Sequence, residues 1–203
     1  MAGEIDIYNM ALAHIGSTDK VADLNERSPE RVQCSAFWPT SRDALFQYKD
    51  TPWNFATTQV ALADLGDPPD GWLYRYRYPN DCLNALQVMQ NGNPAFCFPE
   101  AFRAQFVIGY EAAGRVILTN LPEAQMKYVR RIEEPERYPS YFVEAAAFRL
   151  AAMIAMPLTK DSGLRNEMLQ MAEQFAQIAM AATLNEAQQS WPERSIYERE
   201  IHA

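Results

Sequence analysis

The chain has 203 residues, enough for one sizeable core or for a core plus a smaller inserted domain. Eighteen basic against twenty-six acidic residues give a net charge of −8. That balance argues against broad binding to phosphate backbones, which needs a positive surface, although it does not stop DNA from sliding past. Cys34, Cys82 and Cys97 show no paired spacing and read as reduced, buried thiols. The opening Met-Ala-Gly-Glu-Ile-Asp has neither a basic start nor an apolar run, so no signal peptide is expected. No window is read as a membrane span, and cytoplasm-like conditions are expected.

In chain order, Ile5, Tyr8, Leu12 and Ile15 share one face of a helix expected from about Glu4 to Ile15, with Gly16 as its left-handed cap. Ser28-Pro29-Glu30 supplies an N-cap, a proline at the first helical position and an acid in the first turn. The helix that follows carries Val32, Ala36, Phe37, Ala44, Leu45 and Tyr48, with a kink or break expected at Pro39. It closes at Thr51-Pro52-Trp53-Asn54-Phe55.

The period then changes from helical to nearer two. Asp67-Pro68-Pro69-Asp70-Gly71 is the sharpest turn signal. After it, Trp72 to Tyr78 alternates, with four aromatics on one side and Leu73, Arg75 and Arg77 on the other. A hairpin is expected with strands Phe102–Tyr110 and Arg115–Thr119, and Gly114 in its turn suits positive φ. Met126 to Ile132 alternates again.

The helical period returns in Val143, Ala147, Leu150 and Ile154, stops in Pro157-Leu158-Thr159-Lys160-Asp161-Ser162-Gly163, and resumes from Gly163 in Leu164, Met168, Met171, Phe175, Ile178 and Ala182. These stripes predict an antiparallel helical hairpin ending near Gln189, with Phe175 in its core. Many alanines, on more than one face, allow close helix approach and leave intrachain packing and a subunit interface both open. From Ser190 to Ala203 the chain is too polar to fold alone, yet Trp191, Ile196, Tyr197 and Ile201 are too apolar for a solubilising tail. They are the candidate anchors for docking on a partner.

Chemistry is sparse. His14 and His202 stand at opposite ends, which disfavours a His-based triad or a zinc site, and His14 is read as packing or interface. Glu133, Glu134 and Glu136 read as a solvated linker rather than a catalytic cluster. The aromatics and arginines of Trp72–Tyr78 are read as a half-buried strand in preference to a nucleic-acid stacking platform.

The fold class expected is therefore α+β, mainly an α-helical bundle with an inserted small antiparallel β domain. Residues 1–55 and 139–189 form the bundle, 56–138 the insertion and 190–203 a C-terminal tail. Four motifs in this order resemble the head-to-tail adaptors of tailed bacteriophages, the tail tubular protein A family. They are Ile7-Tyr8-Asn9 to Ile15-Gly16, Pro52-Trp53-Asn54-Phe55-Ala56, Trp72-Leu73-Tyr74 to Pro79-Asn80-Asp81-Cys82-Leu83, and Pro157-Leu158-Thr159-Lys160-Asp161. The resemblance implies a structural virion protein without catalytic residue, metal or cofactor. It implies a ring, dodecameric in that family, between the portal protein and the tail nozzle protein. The ring lines the channel through which phage DNA passes without specific binding, touches no membrane, and is assembled in the host cytoplasm. The alternative is a tail-associated peptidoglycan hydrolase using paired carboxylates; a third reading is a monomeric ligand-binding protein.

Overall fold

The structure, a computed structural model, describes residues 2–90, 105–112 and 114–187. Within them the chain is mixed α and β, with four α-helices and two three-stranded antiparallel sheets. The helices are α1 (Glu4–His14), α2 (Pro29–Phe46), α3 (Ser140–Thr159) and α4 (Ser162–Ala187). All the described strands fall between α2 and α3: β1 (Thr57–Ala61), β2 (Tyr74–Arg77), β3 (Cys82–Gln90), β4 (Phe106–Glu111), β5 (Gly114–Thr119) and β6 (Ala124–Arg130).

The local signals act where the sequence places them. Gly16 sits at φ +76 just past α1, and Ser28 accepts the backbone N–H of Arg31 to cap α2. One expectation needs correction. Pro39 does not break its helix: α2 runs unbroken through it, losing only the one backbone hydrogen bond that proline cannot donate. The segment from Pro157 to Gly163 does stop one helix and start the next: α3 ends at Thr159, Lys160 is left-handed at φ +58, and α4 begins at Ser162.

Helix α3 packs against each of the other three and buries eleven of its residues. By length and composition α3 is apolar enough to cross a membrane, which corrects the reading that no window qualifies. Its apolarity comes from alanines and is spent on the core it shares with α1, α2 and α4.

Strands β1 and β3 flank β6 in one sheet, while β2 and β4 flank β5 in the other. The chain enters the strands at β1 and leaves at β6. These two are direct neighbours, with Thr57 opposite Val129, so both ends of the β segment lie side by side. A second core, of Tyr76, Tyr78, Cys82, Val88, Ile117, Ala124, Met126 and Tyr128, draws on both sheets. Tyr76 and Tyr78 are buried there while Arg77 is exposed, as the alternation of that strand requires. Val129, Leu83 and Leu86 instead join the helical core. The first sheet is thus apolar on two sides.

Helices and strands meet at a cluster of rings. Trp53 is fully buried, and its indole Nε1–H lies 3.2 and 3.1 Å from the carbonyl oxygens of Leu45 and Phe46, the last residues of α2. Its ring meets Phe142 edge-on at 5.1 Å, and Phe142 also contacts Phe46, Phe55 and Tyr138. Replacing Trp53 by Phe keeps the apolar ring but leaves two α2 carbonyls without their donor. The expected cost is about 1–3 kcal/mol in urea unfolding. Trp53→Ala, which opens a cavity as well, is expected to cost about 3–5 kcal/mol.

Candidate functional site

The candidate anchors Trp191, Ile196, Tyr197 and Ile201 lie outside the described residues, as does Cys97. Cys34 and Cys82 are buried free thiols whose burial pushes their pKa up, to about 12 and about 11, so they remain protonated at neutral pH. Glu133, Glu134 and Glu136 are all exposed around a short 3-10 turn at Pro135–Arg137. Among the described residues no group of His, Cys, Asp and Glu is arranged to hold a metal ion.

His14 is a packing residue. Its imidazole stacks on Phe148 of α3 with ring centroids 3.8 Å apart, and Phe148 stacks on Phe175 of α4 at 4.3 Å. Two nearly parallel rings that close cannot share one face, so Phe148 is sandwiched and the stack joins α1, α3 and α4. His14 Nε2 is buried without a hydrogen-bond partner among the described residues, and burial lowers the pKa of the ring below its usual 6.5, against a smaller opposite pull from Glu144.

The surface of α4 departs most from expectation. The residues it buries are Met168, Ala172, Ala176, Ala179 and Thr183, a face rotated by roughly a fifth of a turn from the stripe of large side chains. Ala172, Ala176 and Ala179 of α4 share one core with Ala145, Ala151, Ala152 and Ala155, all buried on α3. This seam of small residues lets the two helices approach closely. Leu164, Met171, Phe175 and Ala182 are left half-buried beside it, and Ile178 is 58% exposed. Leu169 and Leu184 of α4 are exposed too.

Hydrogen bonds tie that surface to the link after α2. Glu173 Oε1 accepts hydrogen bonds from Tyr48 Oη at 2.6 Å, Lys49 Nζ at 2.9 Å and Gln177 Nε2 at 3.2 Å. These donors hold its carboxyl down at about 2. Lys49 and Asp50 both adopt left-handed φ, +45 and +53, an unusual pair of non-glycine residues in the link after α2. Further along, Asn54 donates its backbone N–H to Thr183 Oγ1 and its side-chain amide to the Thr183 carbonyl.

A polar cleft of about 580 Å³ lies where α1 and α2 meet the end of β6. Asp43 pairs with Arg42 at 3.0 Å and with Arg131 at 2.7 Å, and the Tyr8 hydroxyl donates to Glu4. Ser35 and Pro39 both line it, and Pro39 cannot donate to the Ser35 carbonyl one turn back. Each carboxylate on the Asp43 and Glu4 side is engaged by a cation or hydroxyl of the fold, so the geometry braces α2 against the strands.

No protein-family model matches the chain, and no curated protein sequence matches it.

With the pKa of His14 lowered in the fold, the stability it contributes is fully present above about 6.5 and is lost as pH falls from there towards its folded value. His14→Phe preserves the stack and removes the proton. Unfolding free energy measured between pH 7 and pH 5 is expected to fall less steeply in that variant. Phe175→Ala is expected to cost less than the roughly 3–5 kcal/mol of a fully buried phenylalanine, because the ring is only partly buried.

Proposed function

We propose that the protein is a structural virion component, a head-to-tail adaptor whose copies form a ring between the portal and the tail nozzle. In this reading the helices form the bundle of residues 1–55 and 139–189, and the strands of 56–138 are the inserted domain. The ring lines the channel through which phage DNA leaves, and no catalytic residue or cofactor is assigned. The four family-like motifs support it, as does a net acidic chain, because a wall of that charge does not grip phosphates.

The observation that carries the reading is the α4 surface. Alanines fill the intrachain seam while Met171, Phe175 and Ile178 form a row beside it that the chain leaves partly in water. Single exposed apolar residues are ordinary, but a row on one helix tied in place by hydrogen bonds is what a packed neighbour covers. A second copy meeting that row by a different surface makes a head-to-tail contact, and such contacts close into rings. The tail from Ser190 to Ala203, with Trp191, Ile196, Tyr197 and Ile201, is assigned to the portal or the adjacent subunit, since Trp and Tyr dominate such contacts.

Light scattering on the purified chain, alone and mixed with the portal protein of the same genome, tests this directly. A ring mass in either sample is expected. Ile178→Asp is expected to shift that mass to the monomer with unchanged far-UV circular dichroism. Truncation after Gln189 is expected to leave the monomer folded but weaken portal attachment. A chain that stays monomeric in both samples rejects the adaptor.

A further inference from the structure

The polar cleft between α1, α2 and the end of β6 holds charges of both signs that the fold leaves apart. Its volume is about 580 Å³, and its charged lining is Glu4, Arg42, Asp43, Arg131 and Glu133. Helical spacing brings these groups together. Trp38 and Arg42 stand one turn apart on α2, as Glu4 and Tyr8 do on α1, and the Tyr8 and Trp38 rings meet edge-on at 6.3 Å. Arg131, the residue after β6, joins them through its ion pair with Asp43.

Arg42 is only partly satisfied by the fold, although its side chain is just 9% exposed. Its Nε donates to Asp43 Oδ1 at 3.0 Å, but Asp43 gives its other oxygen to Arg131. Nη1 and Nη2 of Arg42 have no partner among the described residues, yet neither is sealed from solvent. The cleft thus meets an arginine fork with a buried stem and open tips. Glu4 is the counterpart. Its Oε1 accepts the Tyr8 hydroxyl, while Oε2 has no partner among the described residues and is open as well. Among the described residues no ion pair joins Arg42 to Glu4 or to Glu133.

Two guanidiniums against three carboxylates leave the lining with one excess negative charge. A simple anion is repelled by that excess, and a simple cation leaves the Arg42 tips unserved. We propose that this cleft binds a small zwitterion, an α-amino acid or a short peptide. Its carboxylate lies on the Nη groups of Arg42, whose planar fork matches two oxygens, and its ammonium lies against Glu4 Oε2 and Glu133. The volume falls within the range of small-ligand sites, about 300–1,000 Å³. Tyr8 and Trp38, which back the cleft, are 0% and 3% exposed, so they offer no apolar recess and a small side chain fits best. The inference is independent of the adaptor reading.

Isothermal titration of the full chain with glycine, at constant ionic strength and pH 7.5, tests it. Saturable binding at one site per chain is expected. Acetate and methylamine, which each carry one half of the charge, are expected to bind at least about tenfold more weakly. Glu4→Gln keeps an acceptor for Tyr8; it is expected to weaken glycine about tenfold and to strengthen acetate, with an unchanged melting temperature. Arg42→Lys, which keeps the charge but removes the fork, weakens glycine likewise, and the Glu4 variant carries the test if the lysine lowers the melting temperature. Glycylglycine binding tighter than glycine identifies a short peptide as the ligand; equal or weaker binding identifies an amino acid. The proposal is overturned if neither glycine nor glycylglycine binds saturably, or if acetate or methylamine binds wild type as tightly. It is equally overturned if Glu4→Gln leaves the affinity for glycine unchanged.

Discussion

The rest of the structure depends on what Trp53 does at the end of α2. A helix finishes with carbonyls that have no partner within it, and a buried end must find donors elsewhere. Here one indole N–H is shared between the carbonyls of Leu45 and Phe46. The same side chain is the floor on which Phe142, near the start of α3, rests. Chain leaving the helices and chain returning to them are thereby pinned to one ring system. The β segment spans that gap without loosening it, because its first and last strands are paired and Arg130 donates its backbone N–H to the Ala56 carbonyl.

From that junction the packing follows in two directions. Towards the strands, Val129 of β6 and the leucines of β3 extend the helical core, so the first sheet carries apolar residues on both faces. Towards the helices, α3 is walled by three neighbours, and the face that α4 buries is mostly alanine, with Met168 and Thr183 at its ends and the Phe148–Phe175 stack beside it. The cost of choosing alanine there is that the larger apolar residues of α4 fall to one side of the seam. Glu173 and Thr183 then fix the helix to the link after α2, so the row cannot rotate inward to hide.

Much of this was legible from sequence because the signals were local. The Ser28 cap, the glycine after α1 and the hairpin glycine, Gly114 at φ +121, depend on one or two residues each. What escaped detection depends on several elements at once. Strand β3 is the longest described, but register shifts between Cys82 and Asn84 and between Ala85 and Gln87 interrupt its alternation. Bulges of that kind erase a period of two. Strand β1 has only five residues, Thr-Thr-Gln-Val-Ala, too few for a pattern to emerge. On α4 the heavier stripe looked like the buried face because periodicity weighs side-chain size. The fold selects instead for how near two backbones can come.

The same limit applies to charge. A net value of −8 is a sum over the chain, and it bears only on broad binding to phosphate backbones. Charges interact over about 8–10 Å in physiological salt, so a ligand responds to the few groups around it and not to the total. Arg75 and Arg77 were visible as the outward residues of an alternating strand. Arg115 comes from another strand altogether, and because β5 pairs with β2 with Arg77 opposite Val116, it falls on the other face of the sheet, over the Tyr78 ring. The charge that any one surface presents therefore depends on strand register, which a sum over the sequence does not contain.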